Sequence, residues 1–287
     1  MSVVQREQSQ EKQLRVLRAE DMTRFIELLM GAADSFVAPR RTLHGDVVFT
    51  EVTSPDEIAL DYENTLISPA CYVLPQREAV FTYELPEDGP AEIHEPPTPG
   101  TQMLFAVRPC DVAAIEYLDR FFIGGKFRDD TYSARRSGTT IIALGCLEPQ
   151  NDACWCTCSH AGPIATSGFD LQLTAVGERY LVEAGSARGE ELLELTVEVL
   201  TEEGAQALAQ ERDALIDDAW ERFSGQGNIA QAMRWISGDE TPPELWEELG
   251  AKCFGCGSCS LVCPVCTCFD MHEYVDDEEG VGARIRC

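Results

Sequence analysis

The chain has 287 residues, 44% of them hydrophobic, and a formal net charge of −28. That apolar content supports a sizeable core and one or two domains. The charge, with three lysines (Lys12, Lys126, Lys252) against nineteen arginines, argues against nucleic acid and anionic membrane surfaces as partners. The acids are spread along the whole sequence, which reads as a solvated surface rather than a docking face for a basic redox partner. The N-terminal MSVVQREQSQEKQ has no apolar signal core, and no apolar run reaches membrane-spanning length. The 13 cysteines fall in metal-type groupings, which points to a reducing compartment, the cytoplasm.

Residues 14–35 read as a short entry segment and an amphipathic helix in which Met22, Phe25, Ile26 and Leu29 share one face. Asp46–Val52 reads as a strand. Residues 53–100 are mixed, with Cys71 a packing residue in an apolar stretch and 84–100 a proline-rich connection. Met103–Val107 is a buried-strand run. Arg108-Pro109-Cys110-Asp111 follows it, then a helix to about Phe122 with Val112, Ile115, Leu118 and Phe122 as its apolar face. Gly124-Gly125-Lys126 lacks the flanks of a phosphate loop and reads as a turn. Residues 139–144 form a second strand, with Gly145 and Cys146 at its exit, and 170–173 and 179–183 form a hairpin. From Gly189 the chain is acidic and mostly helical, with Leu208, Leu215, Ile216, Ala219 and Phe223 along one face. Thr241-Pro242-Pro243-Glu244 has the form of a capping box with proline at the first helical position. Its helix is expected to pack Leu245, Trp246 and Leu249 against the loop that follows Lys252.

That loop holds the most specific motif in the chain. Cys253, Cys256, Cys259 and Cys263 stand in the order C-x2-C-x2-C-x3-C, with Pro264 next. Three thiolates two residues apart wrap one face of an iron–sulfur cubane, and the fourth, before proline, ligates the other cluster in two-cluster ferredoxins. Gly255 and Gly257 allow positive φ and bring amides near the sulfurs, where they help set the reduction potential. A disulfide framework is unsuitable, because the spacing is too crowded for separate bridges and 13 is odd. Zinc would need a second pair, for which Cys266 and Cys268 are poor candidates.

Cys110 and Cys146 each lie just past the carboxyl end of an expected strand, the edge at which sites form in α/β sheets. With Cys154, Cys156 and Cys158 they make five thiols for one locality. Cys110, Cys146, Cys154 and Cys156 are the preferred cluster ligands, with Cys158 as substitute. Three readings compete: zinc with His160, an exchangeable Cys154/Cys156 pair, and, for Cys110 and Cys146, simple packing. His44, His94 and His272 stand alone and read as polar residues rather than ligands.

Segments 105–122, 130–146, 154–163, 168–185 and 252–271 together resemble the iron–sulfur β subunit of sulfhydrogenases and the corresponding iron–sulfur subunit of anaerobic sulfite reductases. The resemblance covers nearly everything after about residue 14; RPCD, LGC and the Cys-aromatic-Cys run carry more of it than the ferredoxin motif. It implies a cytoplasmic electron-transfer subunit between a flavin-containing, NAD(P)H-linked partner and a catalytic hydrogenase or sulfur or sulfite reductase subunit. Carried over by position, Cys253, Cys256, Cys259 and Cys263 are the ferredoxin-type ligands, and Cys110, Cys146, Cys154 and Cys156 match the upstream cysteines. Cys158 departs from the family, where serine is more usual. The family continues into a second cluster motif, which supplies the fourth ligand to the cluster of Cys253, Cys256 and Cys259, so the resemblance also implies either a fragment that stops at Cys287 or a shortened relative in which Cys266, Cys268 or Cys287 completes a single cluster.

The expectation is an α+β protein. An N-terminal α/β domain (14–187) with a Cys-rich loop leads through a helical connector (188–250) to a helical, ferredoxin-like [4Fe–4S] segment (251–287). One cluster is expected at the C-terminus and one in the N-terminal domain, with no catalytic side-chain set and no membrane insertion. The alternatives are a zinc-stabilised scaffold without redox function and a reductase of sulfur species at an open cluster site.

Overall fold

The computed structural model describes residues 13–86, 89–96, 100–149, 154, 156–223, 228–238, 241–276 and 280–287. Its centre is an eight-stranded mixed sheet. The chain enters through β1 (Leu14–Arg18) and α1 (Met22–Met30), then β2 (Ser35–Arg41) and β3 (Val47–Glu51). β4 (Glu78–Glu84) and β5 (Glu92–His94) leave the sheet, and β6 (Gln102–Val107) returns to it. α2 (Pro109–Phe122), α3 (Asp130–Ser137) and β7 (Thr139–Leu144) follow, then the hairpin of β8 (Leu171–Val176) and β9 (Arg179–Ala184). α4 (Ala187–Leu195), β10 (Leu200–Thr201) and α5 (Ala205–Phe223) complete this body.

The strand order is β10-β1-β9-β8-β7-β6-β2-β3. β2, β6, β7 and β8 run parallel, whereas the remaining pairings are antiparallel. The parallel centre explains the uninterrupted apolar runs of β6 and β7, which are covered on both faces. On one face Met22, Phe25, Ile26 and Leu29 of α1 and Leu192 and Leu193 of α4 are buried together. On the other, Val112, Ile115, Leu118 and Phe122 of α2 pack with Tyr132 of α3. Leu208 and Ala209 of α5 join Val16, Val176 and Leu181 in a third cluster. Along α5, Ala219 and Phe223 are buried with Leu208, whereas Leu215 is exposed.

Beyond α5 come α6 (Ile229–Ser237), α7 (Pro243–Lys252), the one-turn α8 (Ser258–Val262) and the hairpin of β11 (Met271–Asp276) and β12 (Val281–Arg286). The hairpin joins a second, antiparallel sheet in the order β11-β12-β4-β5, so the C-terminal segment is stitched onto strands from the first hundred residues. A buried ion cluster secures the seam. Arg286, 4% exposed, pairs with Glu78 and Asp129, and Arg135 reaches the other Glu78 oxygen at 2.6 Å.

Two expectations about α7 are corrected. Its N-cap is Pro242 and no side chain caps it; Thr241 sits one residue outside, so only the proline at the first helical position holds. Leu245, Trp246 and Leu249 are exposed rather than packed on the following loop, because an apolar stripe alone does not supply a surface to cover it. Among the described residues no helix is long and apolar enough to cross a membrane.

Candidate metal centre

β6 and β7 are parallel neighbours, so their carboxyl ends deliver Cys110 and Cys146 to one edge. The exit of β6 is irregular: the register shifts between Phe105 and Val107, and Ala106 adopts φ +62°. A bulge of this kind re-aims the residues after it. Buried Tyr62 holds the bulge through its hydroxyl, which donates to Ala106 O at 2.8 Å. Cys110 then falls in the first turn of α2, after Pro109 at the first helical position. Cys146 is anchored by its amide to Pro163 O at 2.9 Å, and Gly145 N–H bonds Leu173 O at 2.8 Å.

The third and fourth thiols come from the loop between β7 and β8. Cys156 opens a 3-10 turn (Cys156–Ser159), and Ala161 N–H closes back on its carbonyl at 2.9 Å. Gly162 is required there, because a Cβ at that position would stand 2.8 Å from Cys156 Sγ. Cys110, Cys146, Cys154 and Cys156 all line one cavity of about 490 Å³. Cys158 does not line it, and Asp152 of the same run lies outside the described residues. His160 is exposed and stands beside Trp220, with ring centroids 6.4 Å apart.

Electrostatics in this cavity oppose free thiolates. Burial pushes the Cys156 thiol up to about 11, and the neighbouring Cys146 and Cys154 add to the effect. Cys110 is raised further, by burial first and then by Asp111, Cys156 and Cys146. Sulfurs that repel one another when charged need a multivalent cation before they ionise together, and bound metal supplies it. Arg108 lines the same cavity. It lies over the Tyr62 ring at 4.3 Å and donates to Tyr62 O. Its Nε is buried and has no hydrogen-bond partner among the described residues. A group with sulfur acceptors and negative charge suits this wall, so the residues present fit a thiolate-held cluster. Neither Tyr62 nor Arg108 stood out as a site residue in the sequence; the only signal was the position of Arg108 between a strand run and Pro109.

At the C-terminal motif Cys253, Cys256, Cys259 and Cys263 are all exposed, whereas upstream Cys110 is exposed and Cys146, Cys154 and Cys156 are half-buried. Gly255 and Gly257 take φ +66° and +72°, and Gly255 N–H reaches Cys253 Sγ at 3.4 Å. The Ser258 hydroxyl, 3.2 Å from Cys256 Sγ, and then the Ser258 amide hold the Cys256 thiol below its ordinary value. This loop is shaped to present ionised sulfur with amides around it. Cys253, Cys256 and Cys259 line neither the 490 Å³ cavity nor its 290 Å³ neighbour, whereas Cys263 lines both. The fourth cysteine of the motif thus stands on the wall of the upstream thiol site.

Two thiol sites, one of them a ferredoxin-type loop, define an iron–sulfur protein. Residues 252–287 match the 4Fe–4S dicluster domain family. Over 229 residues the chain is 28% identical to the sulfhydrogenase 2 subunit beta of Pyrococcus furiosus, of which it is a homologue; the alignment covers 78% of this chain and 64% of that subunit. The chain therefore matches less than two thirds of the length of this curated relative.

Proposed function

We propose that the chain is an electron-transfer subunit of an oxidoreductase complex, with [4Fe–4S] clusters held by Cys253, Cys256, Cys259 and Cys263 and by Cys110, Cys146, Cys154 and Cys156. The clusters, when bound, supply one-electron redox chemistry; the chain sets their potential through thiolates, amides and burial. The observation that carries this reading is the shared wall: Cys263 of the C-terminal motif lines the cavity of the four upstream thiols. Two redox groups brought to one cavity suit a relay better than a store of metal. The name of the relative, a sulfhydrogenase subunit, favours a catalytic partner of the hydrogenase or sulfur or sulfite reductase type. A flavin-containing, NAD(P)H-linked subunit in the cytoplasm is the proposed electron donor or acceptor on the other side. The sheet body (14–187), the connector (188–250) and the ferredoxin-type segment (251–287) are the proposed working units, the last docked by β12 on β4.

The zinc-scaffold reading fits less well. A tetrahedral zinc site draws its sulfurs to within about 3.8 Å of one another. Among the described residues the one three-donor group within 4.8 Å is Glu84, Glu92 and His94, all exposed, and it contains no thiol. Thiols spread more widely around a cavity suit a polynuclear cluster.

The test is metal and sulfide analysis of the full chain purified without oxygen, beside Cys146→Ser and Cys256→Ser. Brown protein with broad absorption near ~400 nm, bleached by dithionite, is expected, and each variant should lose about four iron atoms while keeping its fold. Colourless protein with stoichiometric zinc would overturn the proposal, as would full iron retention in either variant.

A further inference from the structure

The upstream cavity and the C-terminal motif together use eight of the thiols, and four of the others meet elsewhere. A second cavity, of about 290 Å³, is lined by Cys71, Cys266, Cys268 and Cys287 as well as by Cys263. Three of these belong to the tail after the ferredoxin motif. Cys266 N–H closes a turn onto Cys263 O at 3.2 Å. Asp270 and Cys287 exchange two backbone hydrogen bonds, of 2.9 and 3.0 Å, which hold the stretch that follows Cys268 beside the residue after β12. With Cys263 given to its motif, the tail places three sulfurs on this wall, and a cubane takes four thiolates.

The fourth thiol on that wall comes from the sheet body. Cys71 sits in a 3-10 turn (Pro69–Tyr72) capped by Ser68, whose hydroxyl accepts from Ala70 N–H at 3.1 Å and donates to Asp111 at 2.5 Å. Asp111 neighbours Cys110, so the turn that carries Cys71 is tied to the helix that carries an upstream ligand. Cys71 is not among the residues of the apolar core clusters and is only half-buried, less than a cysteine that serves packing alone. Arg286 lines the same cavity, and its ion pairs with Glu78 and Asp129 fix the end of β12, which Cys287 directly follows. As in the upstream site, no three of these sulfurs lie within the span of a single ion.

We propose that this cavity is a further [4Fe–4S] site, ligated by Cys71, Cys266, Cys268 and Cys287, in which a thiol of the N-terminal body completes a set begun by the C-terminal tail. The inference rests on the reading of the chain as a [4Fe–4S] protein but not on the upstream site. It makes Cys263 the hinge of three redox groups, since that residue also borders the upstream cavity. It also gives the β12–β4 seam a chemical role, which is to hold Cys287 opposite Cys71.

The experiment reconstitutes the full chain anaerobically with iron and sulfide and compares it with Cys71→Ser, Cys266→Ser and their double variant. Each single variant should lose about four iron atoms and the same electron paramagnetic resonance signal, and the double variant should lose no more than either single. Full iron in Cys71→Ser beside a loss in Cys266→Ser would overturn the ligand set. Loss in Cys146→Ser with no loss in Cys71→Ser would overturn this inference and leave the proposed function standing; no iron in the unmodified chain would overturn both. A second measurement needs no variant. Cys71 of the loaded wild-type protein should be alkylated several-fold faster after chelation strips the iron, and an unchanged rate would overturn the proposal.

Discussion

The upstream cavity and the C-terminal loop use the same ligand atom in opposite surroundings. Cys110 and Cys156 sit where a packed sheet edge raises their thiols, beside an arginine with an unsatisfied Nε. Cys256 sits in an exposed glycine-rich loop whose serine lowers its thiol. The first site is costly to ionise without metal. The second is ready to ionise and open to exchange. In the proposed relay, groups of different potential would come from changing the wall rather than the ligand.

The spacing between the two depends on the β12–β4 seam, so breaking the seam has the largest expected effect. Arg286→Ala would leave buried Glu78 with Arg135 alone and take the ion pair from half-buried Asp129. Truncating one partner of a buried ion cluster costs about 3–5 kcal/mol. Urea unfolding should show a loss in that range, and limited proteolysis should cut first between α8 and β12. A loss no larger than that of a surface ion pair would mean the C-terminal segment is held by other contacts.

The contrast between the seam and the sheet edge also separates what was legible in the sequence from what was not. The strands β6 and β7, with Cys110 and Cys146 at their exits, were readable because a buried parallel strand is a continuous apolar run that ends abruptly. The α1 face was readable from its period. β2 was missed because Pro39, Arg40 and Arg41 interrupt its apolar run. β11 is exposed along nearly its whole length, so it carries no alternation, and β12 pairs with a strand some two hundred positions earlier, as the 208-residue separation of Arg286 and Glu78 records. Pairing over that distance leaves no local pattern. The same applies to Tyr62, which holds the Ala106 bulge and lies under Arg108, since its role exists only once β6 has bent. The exposed apolar face of α7 misled for a converse reason: periodicity announces an apolar stripe but not whether anything covers it.

Arg108 sharpens the comparison of the two sites, with a smaller effect. A guanidinium on the upstream wall favours the more negative, reduced form of a cluster there. Arg108→Gln removes that charge while keeping a planar side chain. One hydrogen bond to a charged group is worth about 1.5–3 kcal/mol, or roughly 60–130 mV for a one-electron couple. The upstream potential should fall by that amount in a redox titration followed by electron paramagnetic resonance, with the C-terminal potential unchanged. Equal shifts at both sites would show a general charge effect instead.

The smallest effect is on pH, and it follows from the thiols themselves. Iron must displace the thiol proton, so loading becomes easier as pH rises toward the thiol's own value. For Cys156 that value is about 11, so uptake upstream should still be climbing at mildly alkaline pH. The Cys256 loop, held below the ordinary thiol range, should level off earlier. Site-by-site reconstitution in Cys256→Ser and Cys146→Ser backgrounds would separate the two slopes. The metal-free protein should show the mirror image. A thiol whose folded value lies above its unfolded value of about 8.5 contributes stability below that pH and loses it as pH rises toward the folded value. Apo protein should therefore become less stable between about pH 8.5 and about 11, where the unfolded chain releases the Cys156 proton that the folded site, by burial and by Cys146 and Cys154, still holds. Loaded protein, with the proton already gone, should lack this alkaline decline. If both forms decline together, the cause lies outside the thiol cavity, and the contrast between buried and exposed sulfur does not govern how this chain takes up its metal.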